Sequence, residues 1–263
     1  MTYKIIIPSY KRAEILKTHT LSCLMRTDVK REIFVFVADK AEAKEYRAAL
    51  PKNIEVVVGE RGIPNQRNFI QRFFPEGEHL VFIDDDIKKL VGLTRAGKRM
   101  KADKLHDFLE AAFTATEIRG MRMFGINSTD SNLEMKHKVS VGRIYLVGNF
   151  YGLINLHDLF VDEGRHIKTR LNFKAGKESH ERALLMYERF GGVCKFRSFG
   201  VDSKYWGVPG GHQVSRTAEG EKEATEYLHA KYPEATSIRE YKGVLDLVIK
   251  PKTQVFPAMF PQD

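Results

Sequence analysis

The segment His79-Leu80-Val81-Phe82-Ile83-Asp84-Asp85-Asp86 runs an apolar strand directly into three carboxylates. Branched and aromatic residues favour the extended chain. Three consecutive acids cannot continue a buried strand without partners, so the strand is expected to stop at the sheet edge and present them there. Side chains alternate along a strand. If the alternation persists, Asp84 and Asp86 share one side and Asp85 faces the other. Two hard oxygen donors at an edge suit Mg²⁺ or Mn²⁺, which complete their shells with phosphate oxygens. An isolated Asp-x-Asp is more often a solvated turn, so the surrounding sequence has to decide.

Upstream, three more strand-like runs end in polar residues. Lys4 to Pro8 reads as a buried strand closed by Pro8-Ser9-Tyr10. A helix is expected from Arg12 to Arg26, with Leu21, Leu24 and Met25 on one face. Glu32 to Ala38 is a second strand. Asp39 and Glu42 follow at capping-box spacing, and Ala43, Tyr46 and Leu50 carry the helix onward. Glu55 to Val58 is a third strand. Pro64 fits the first turn of a helix reaching Phe74. Strands with helical crossovers predict an α/β fold around a mostly parallel central sheet, with ligands beyond the carboxyl ends of the strands. Pro8-Ser9-Tyr10, Asp39, Gly59-Glu60-Arg61 and Asp84-Asp85-Asp86 all follow strand ends, so they should meet at one edge.

The rest of the chain is less periodic. Lys104 to Arg119 predicts an amphipathic helix with Leu105, Phe108, Leu109, Ala112 and Phe113 inward. Val139 to Ile154 predicts strands and turns, and Glu178 to Phe190 a helix stopped by Gly191-Gly192. Trp206 to His212 reads as a loop, and Glu219 to Tyr232 as a last helix before Pro233. We expect one domain over residues 1–263, with a nucleotide half (1–100) and an acceptor half (101–263). Across the 263 residues, Lys and Arg outnumber acids 43 to 34, which raises the local concentration of polyanions. Cys23 and Cys194 lack metal-ligand spacing and read as buried thiols. With no long apolar run and no visible signal peptide, the expectation is a cytoplasmic protein without a membrane partner.

Several residues are candidates for chemistry. Arg61 and Arg67 flank a helix start, where free N–H groups and the helix dipole attract anions. Arginine adds a bidentate grip on phosphate, although an exposed basic helix face has the same composition. Tyr10 could stack on a base and Arg12 could reach a phosphate. Asp39 suits a ribose hydroxyl, and equally a helix cap. In Gly176-Lys-Glu-Ser-His-Glu181, Glu178 and Glu181 could act as a base or simply complement the helix dipole. His212, between glycines, is a candidate third metal ligand beside Asp84 and Asp86. Lys136, Lys138, Arg143, Arg165, Lys168 and Arg170 could hold nucleic-acid phosphates, or could merely keep the surface soluble.

The order Ile-Ile-Ile-Pro-Ser-Tyr-Lys-Arg12, Phe-Val-Ala-Asp39, Gly-Ile-Pro-Asn-Gln-Arg-Asn68 and Phe-Ile-Asp-Asp-Asp86 resembles the nucleotide half of a GT-A (Rossmann-like) glycosyltransferase, over residues 3–90. That resemblance implies that Asp39 contacts the nucleoside, Asp84 and Asp85 the nucleotide or sugar, and Asp86 a divalent metal. It also implies a late histidine on the metal, here His212. The Glu-Asp pair common at the start of a later helix is matched by Glu178-Ser179, with Glu181 nearby. The chain as a whole is similar to the TET/JBP-associated group found in bacteriophages. This implies transfer of a sugar from a UDP-sugar to a hydroxymethylated pyrimidine, such as 5-hydroxymethylcytosine, in double-stranded DNA. Competing readings are a GT-A enzyme with a small-molecule, glycan or protein acceptor, a sugar-phosphate nucleotidyltransferase, and a non-catalytic DNA-binding module. The second normally opens on a Gly-rich loop, where this chain has Pro8-Ser9-Tyr10. The third leaves the strand-end aspartates without a task.

Overall fold

The computed structural model describes residues 2–131, 133–157, 177–203, 218–241 and 243–257. Strands β1 (Lys4–Pro8), β2 (Ile33–Val37), β3 (Glu55–Val58) and β4 (His79–Ile83) pair in parallel in the order β4-β1-β2-β3. Helix α3 (Lys40–Ala49) crosses between β2 and β3, and α4 (Ile63–Phe73) between β3 and β4. The strand-end motifs therefore meet at one edge, as the pattern predicted.

Between β1 and β2 the expected single helix is a composite: α1 (Ala13–Leu16), a π turn (Lys17–Leu21) and α2 (Ser22–Leu24). The π turn is local, and such turns re-aim side chains where geometry demands it. Here Thr20 is completely buried, donates to the Asp84 carbonyl at 2.7 Å and accepts from Ile87 N at 2.9 Å. It staples the chain on either side of the acidic turn.

Beyond β4 the sheet becomes mixed. β9 (Phe150–Ile154) runs antiparallel to β4, and β7 (Met123–Asn127) antiparallel to β9. β10 (Val193–Ser203) lies parallel to β7. β8 (Lys138–Arg143) and β13 (Lys252–Pro257) complete that side. The far half of β10 carries β5 (Ile87–Leu93), which pairs with β6 (Arg99–Lys101). β11 (Thr236–Tyr241) and β12 (Val244–Ile249) form a separate hairpin.

Alternation along β1 and β2 builds two apolar layers. Ile5, Ile7, Val35 and Val37 pack with α5 (Leu105–Ile118), whose Leu105, Phe108, Leu109, Ala112 and Phe113 are all buried as expected. Ile6 and Phe36 face the opposite way, toward Ile70 and Phe74 around α4 and Leu185 and Met186 of α6 (Glu178–Phe190). Each such side chain, fully buried, contributes about 1.5–3 kcal/mol. A left-handed Gly191 at φ 79° stops α6, as expected. Helix α7 (Ala218–Lys231) packs on β12 and β11. Cys23 and Cys194 are buried free thiols.

Candidate active site at the strand ends

The carboxyl end of β1 turns sharply, with Lys11 at φ 55°. A lysine tolerates this left-handed conformation only when its surroundings fix it. Two buried residues of α3 do so. Glu42 accepts from Lys11 N at 2.7 Å, and the Tyr46 hydroxyl accepts from Arg12 N at 2.9 Å. Glu42 also accepts from Ala38 N at 2.9 Å, while Asp39 accepts from Ala41 N and Glu42 N. The expected capping box is thus present on the Asp39 side, but its return bond goes one residue earlier, to Ala38. The cap leaves Asp39 exposed at the edge.

Asp84, Asp85 and Asp86 do not alternate as a strand would, because β4 ends at Ile83 and the chain turns. Asp85 points inward, where it accepts from Ser9 Oγ at 2.6 Å and pairs with Arg12 at 3.2 Å. Asp86 also meets Arg12, at 3.5 Å, whereas Asp84 turns to Arg67 at 3.5 Å. Partial desolvation at the strand end raises Asp84 above the ordinary carboxylate range, with Arg67 opposing and Asp86 and Asp85 adding to the rise. Burial likewise raises Asp85 to about 6, against the Ser9 hydrogen bond and Arg12. Burial also lifts Asp86 above the ordinary carboxylate range, against Arg12. Asp84 has the most open side chain of the three, 38 % exposed against 7 % and 15 %.

Arg12 is therefore not directed at a phosphate in this arrangement; it is buried and neutralises Asp85 and Asp86. Arg67 is likewise buried. It donates to Glu178 Oε2 at 2.5 Å and to the Gly148 carbonyl at 2.7 Å. The other Glu178 oxygen is held by Arg182, a buried residue whose burial lowers it to about 10. Both guanidiniums lie over the Tyr151 ring, at 5.5 and 4.6 Å, and Tyr151 stacks on Phe82 at 4.7 Å. A Cβ at Gly148 would lie 2.6 Å from Ser179 Oγ and 2.8 Å from Arg67 Nη1, so any larger residue displaces one of these side chains. Glu178 is thus brought to the site, but with both oxygens engaged by arginines. Glu181 is buried one turn further along the same helix.

The loop after β3 is clamped by Gln66. Its Oε1 accepts from Glu60 N at 2.7 Å, and its Nε2 donates to the Val37 carbonyl at 3.1 Å. Gly62, at φ 90°, then opens α4 with Pro64 in the first turn. Arg61 is exposed, with its guanidinium 5.6 Å from the centre of the half-buried Tyr10 ring; Lys11 Nζ is 5.4 Å from the same ring. Arg61, Tyr10 and Asp39 thus form the open rim, and Pro8 is buried beneath it. Thr20, Gln66 and Arg182 shape the site and were given no role by the sequence, while Ser9, Glu42 and Tyr46 were read there only as a strand-end residue, a capping partner and a helix position, because no local pattern shows what a polar group will brace once buried.

The metal expectation can be tested on the donor set. Three crowded carboxylates are hard oxygen donors, and Mg²⁺ or Mn²⁺ typically takes one or two of them plus substrate oxygens and water. Asp84 and Asp86 fit that mode. They are two donors only: among the described residues, no group of three or more acidic, histidine or cysteine side chains is arranged to hold a metal ion. His212, Arg165, Lys168 and Arg170 lie outside the described residues. Of the other basic candidates, Lys136 and Lys138 are exposed. The strand registers place Lys138 on the Asp84 side of the sheet, about four strand spacings (~19 Å) away. Arg143 sits at the opposite end of β8, donating to the Lys250 carbonyl at 2.7 Å and lying over Tyr187. The extended strand thus carries Arg143 to the edge opposite Lys138.

A parallel sheet with strand-end carboxylates, continued by an antiparallel side, is the GT-A architecture of nucleotide-sugar transferases. Two solved structures of residues 1–349 of TarS from S. aureus share it. One has TM-score 0.50 and 14 % identity, covering 88 % of this chain and 65 % of that one. The other, in complex with UDP-GlcNAc, has TM-score 0.53 and 15 % identity, covering 88 % and 66 %. This chain therefore spans slightly less than two thirds of those chains, and the likeness shows the fold. No curated protein sequence matches. Residues 3–150 match the model of the TET-associated glycosyltransferases, and the chain belongs to that family.

Proposed function

We propose that the protein transfers a sugar from a UDP-sugar to the hydroxymethyl group of a modified pyrimidine, 5-hydroxymethylcytosine, in double-stranded phage DNA. The observation that carries the donor half is the convergence of Asp84, Asp85 and Asp86 with Tyr10, Asp39 and Arg61 on one strand-end edge of a family member. Tyr10 and Asp39 would meet the nucleoside, and Arg61 the diphosphate. Asp84 and Asp86 would hold a divalent cation, which when bound neutralises the departing nucleotide. Asp85, braced by Ser9 and Arg12, fixes the turn that presents them.

The acceptor half rests on the family and on the basic excess. Glu178 and Glu181 are the candidates to take the hydroxyl proton. Glu178 shares Arg67 with Asp84, so a diphosphate reaching Asp84 competes for the guanidinium that holds Glu178. Deprotonation of the acceptor is thereby tied to a loaded donor site. We take residues 1–263 as one catalytic domain acting in the cytoplasm; among the described residues no helix is long and apolar enough to cross a membrane.

The test is a panel of UDP-sugars incubated with plain and hydroxymethylated duplexes, followed by digestion to nucleosides and mass spectrometry. A hexose or pentose added only to the hydroxymethylated base is the expected result. Release of UDP with no added mass on any duplex would move the acceptor to a glycan, protein or small molecule.

A further inference from the structure

The chain's charge is concentrated in a place the candidate site does not use. Between Lys88 and Lys104 stand seven basic residues and one acid, Asp103, a local excess of six in a chain whose net charge is +9. That stretch is the β5–β6 hairpin, joined by the turn Thr94 to Lys98, where Thr94 N donates to the Lys98 carbonyl at 2.8 Å. Arg95, Lys98, Arg99 and Lys101 are all exposed. Lys89 pairs with Asp202 at 3.5 Å and Arg99 with Asp130 at 3.4 Å, so basic residues still outnumber these acidic partners on the hairpin.

Register shows which way part of it faces. Val91 opposes Lys101 and Leu93 opposes Arg99, and directly opposed residues project from the same face of an antiparallel pair. Val91 and Leu93 bury themselves against Met135, so Lys101 and Arg99 rise on the face that carries the Met135 loop. Arg99 locks that loop by donating to the Asp130 carbonyl at 2.7 Å. Lys136, next to Met135, is exposed on the same loop, with its N–H donating to the Arg197 carbonyl at 2.9 Å. Glu134 is an exposed acid there, and Asp130 is engaged by Arg99. The surface therefore keeps a net positive charge.

The hairpin is also tethered to the acidic turn, since β5 begins at Ile87, one residue past Asp86. From Ile87 to Leu93 an extended strand spans about 20 Å. That matches about six base steps along one DNA strand.

We infer that the β5–β6 hairpin, through Lys98 and Lys101 with Lys136 beside them, is the surface on which the backbone of a duplex DNA acceptor rests while its modified base is at the strand-end site. The inference rests on the DNA-acceptor reading and adds the docking surface to it. It adds Lys98 and Lys101 of the hairpin to the earlier candidate contacts, of which it keeps Lys136. Backbone contacts of this kind set register and orientation and carry no base information.

The experiment measures affinity for a hydroxymethylated duplex against salt concentration. It compares the full chain, Lys98→Ala/Lys101→Ala, and a control pair of equal charge change, Lys44→Ala/Lys52→Ala, exposed on and after α3. Thermal melting confirms that all three are folded. Each lost phosphate contact removes about 0.9 from the slope of log affinity against log salt. The hairpin pair is expected to lower the slope by about 1.8, and the control pair to leave it unchanged. An unchanged slope for the hairpin pair overturns the hairpin assignment while the acceptor reading stands. An equal fall for the control pair overturns it too, because net charge alone then explains the binding. If the unaltered protein shows no salt-dependent duplex binding, the acceptor reading fails and the hairpin assignment falls with it.

Discussion

Replacing Arg67 by alanine separates two roles that the same side chain could play. In the structure it is a brace: buried, 2.5 Å from Glu178, 2.7 Å from the Gly148 carbonyl and 3.5 Å from Asp84. Removing one partner of a buried ion pair typically costs about 3–5 kcal/mol. Glu178 keeps Arg182 as a partner, so the lower end, about 3 kcal/mol, is expected. For a chain of this size 1 kcal/mol moves the melting midpoint by roughly 2–4 °C, giving a fall of about 6–12 °C. Thermal melting of Arg67→Ala, Glu178→Ala and the double variant supplies the cycle, and the double variant should be less destabilised than the sum of the singles. UDP affinity measured alongside reads the other role. A midpoint within about 2 °C of the unaltered protein, together with a collapse of UDP affinity, would refute the brace and make Arg67 a donor ligand alone.

Four further outcomes are expected. Asp86→Asn should abolish the gain in UDP affinity that Mn²⁺ provides in calorimetry, with the chelator-treated affinity unchanged; a full metal effect in the variant would remove Asp86 from the metal site. Arg61→Ala, at an exposed position over Tyr10, should raise the donor KM while leaving the melting midpoint in place. Gly148→Ala forces Ser179 or Arg67 to move and should cost about 1–3 kcal/mol by overpacking, read by urea denaturation. His180, stacked on Tyr145 and facing Lys177, Asp246 and Glu221, is lowered to about 3 by burial and by Lys177, so folding requires it neutral. Its contribution is full above about pH 6.5 and is lost as pH falls below that, at up to about 1.4 kcal/mol per pH unit. The raised Asp84 and Asp85 act in the opposite sense, so the measurement is the difference between the protein and His180→Gln from pH 7 to 5, and a flat difference would contradict the assignment.

The first ninety residues were legible because each strand there is a short run of branched and aromatic residues and each end is punctuated. Ile33-Phe-Val-Phe-Val37 has no plausible helical reading, and Pro64 marks its helix unaided. The second half was less so. β7, Met123-Phe-Gly-Ile-Asn127, is interrupted by a glycine, and that glycine is needed: a Cβ at Gly125 would meet Leu146 at 2.9 Å. β10 mixes Lys195, Arg197 and Ser198 with its apolar residues because it changes partners midway, from β8 to β5, while its register with β7 shifts between Phe196 and Gly200. A strand that serves two pairings in succession shows no single period. The hairpin β11–β12 packs mainly on α7, a contact that no stretch of its own sequence announces.

The site divides along the same line, and the division bears on its chemistry. Position along the chain follows from strand ends, so the sequence could say that Asp84, Asp85, Asp86, Asp39, Tyr10 and Arg61 meet. Direction depends on what the turn packs against. The inward rotation of Asp85 is set by Ser9 and Arg12 from a different strand end, seventy-odd residues earlier. The capture of Arg67 is set by Glu178, more than a hundred residues later. Two of the three cations read as phosphate ligands are thus already committed to carboxylates. That leaves Arg61 exposed at the rim, over the Tyr10 ring. If a diphosphate binds here, its charge must be met by Arg61, by a metal on Asp84 and Asp86, or by pulling Arg67 away from Glu178. On the third route Glu178 would lose one of its two arginines and keep Arg182, so the proposed link between donor binding and the acceptor side rests on how far Arg182 alone holds that carboxylate.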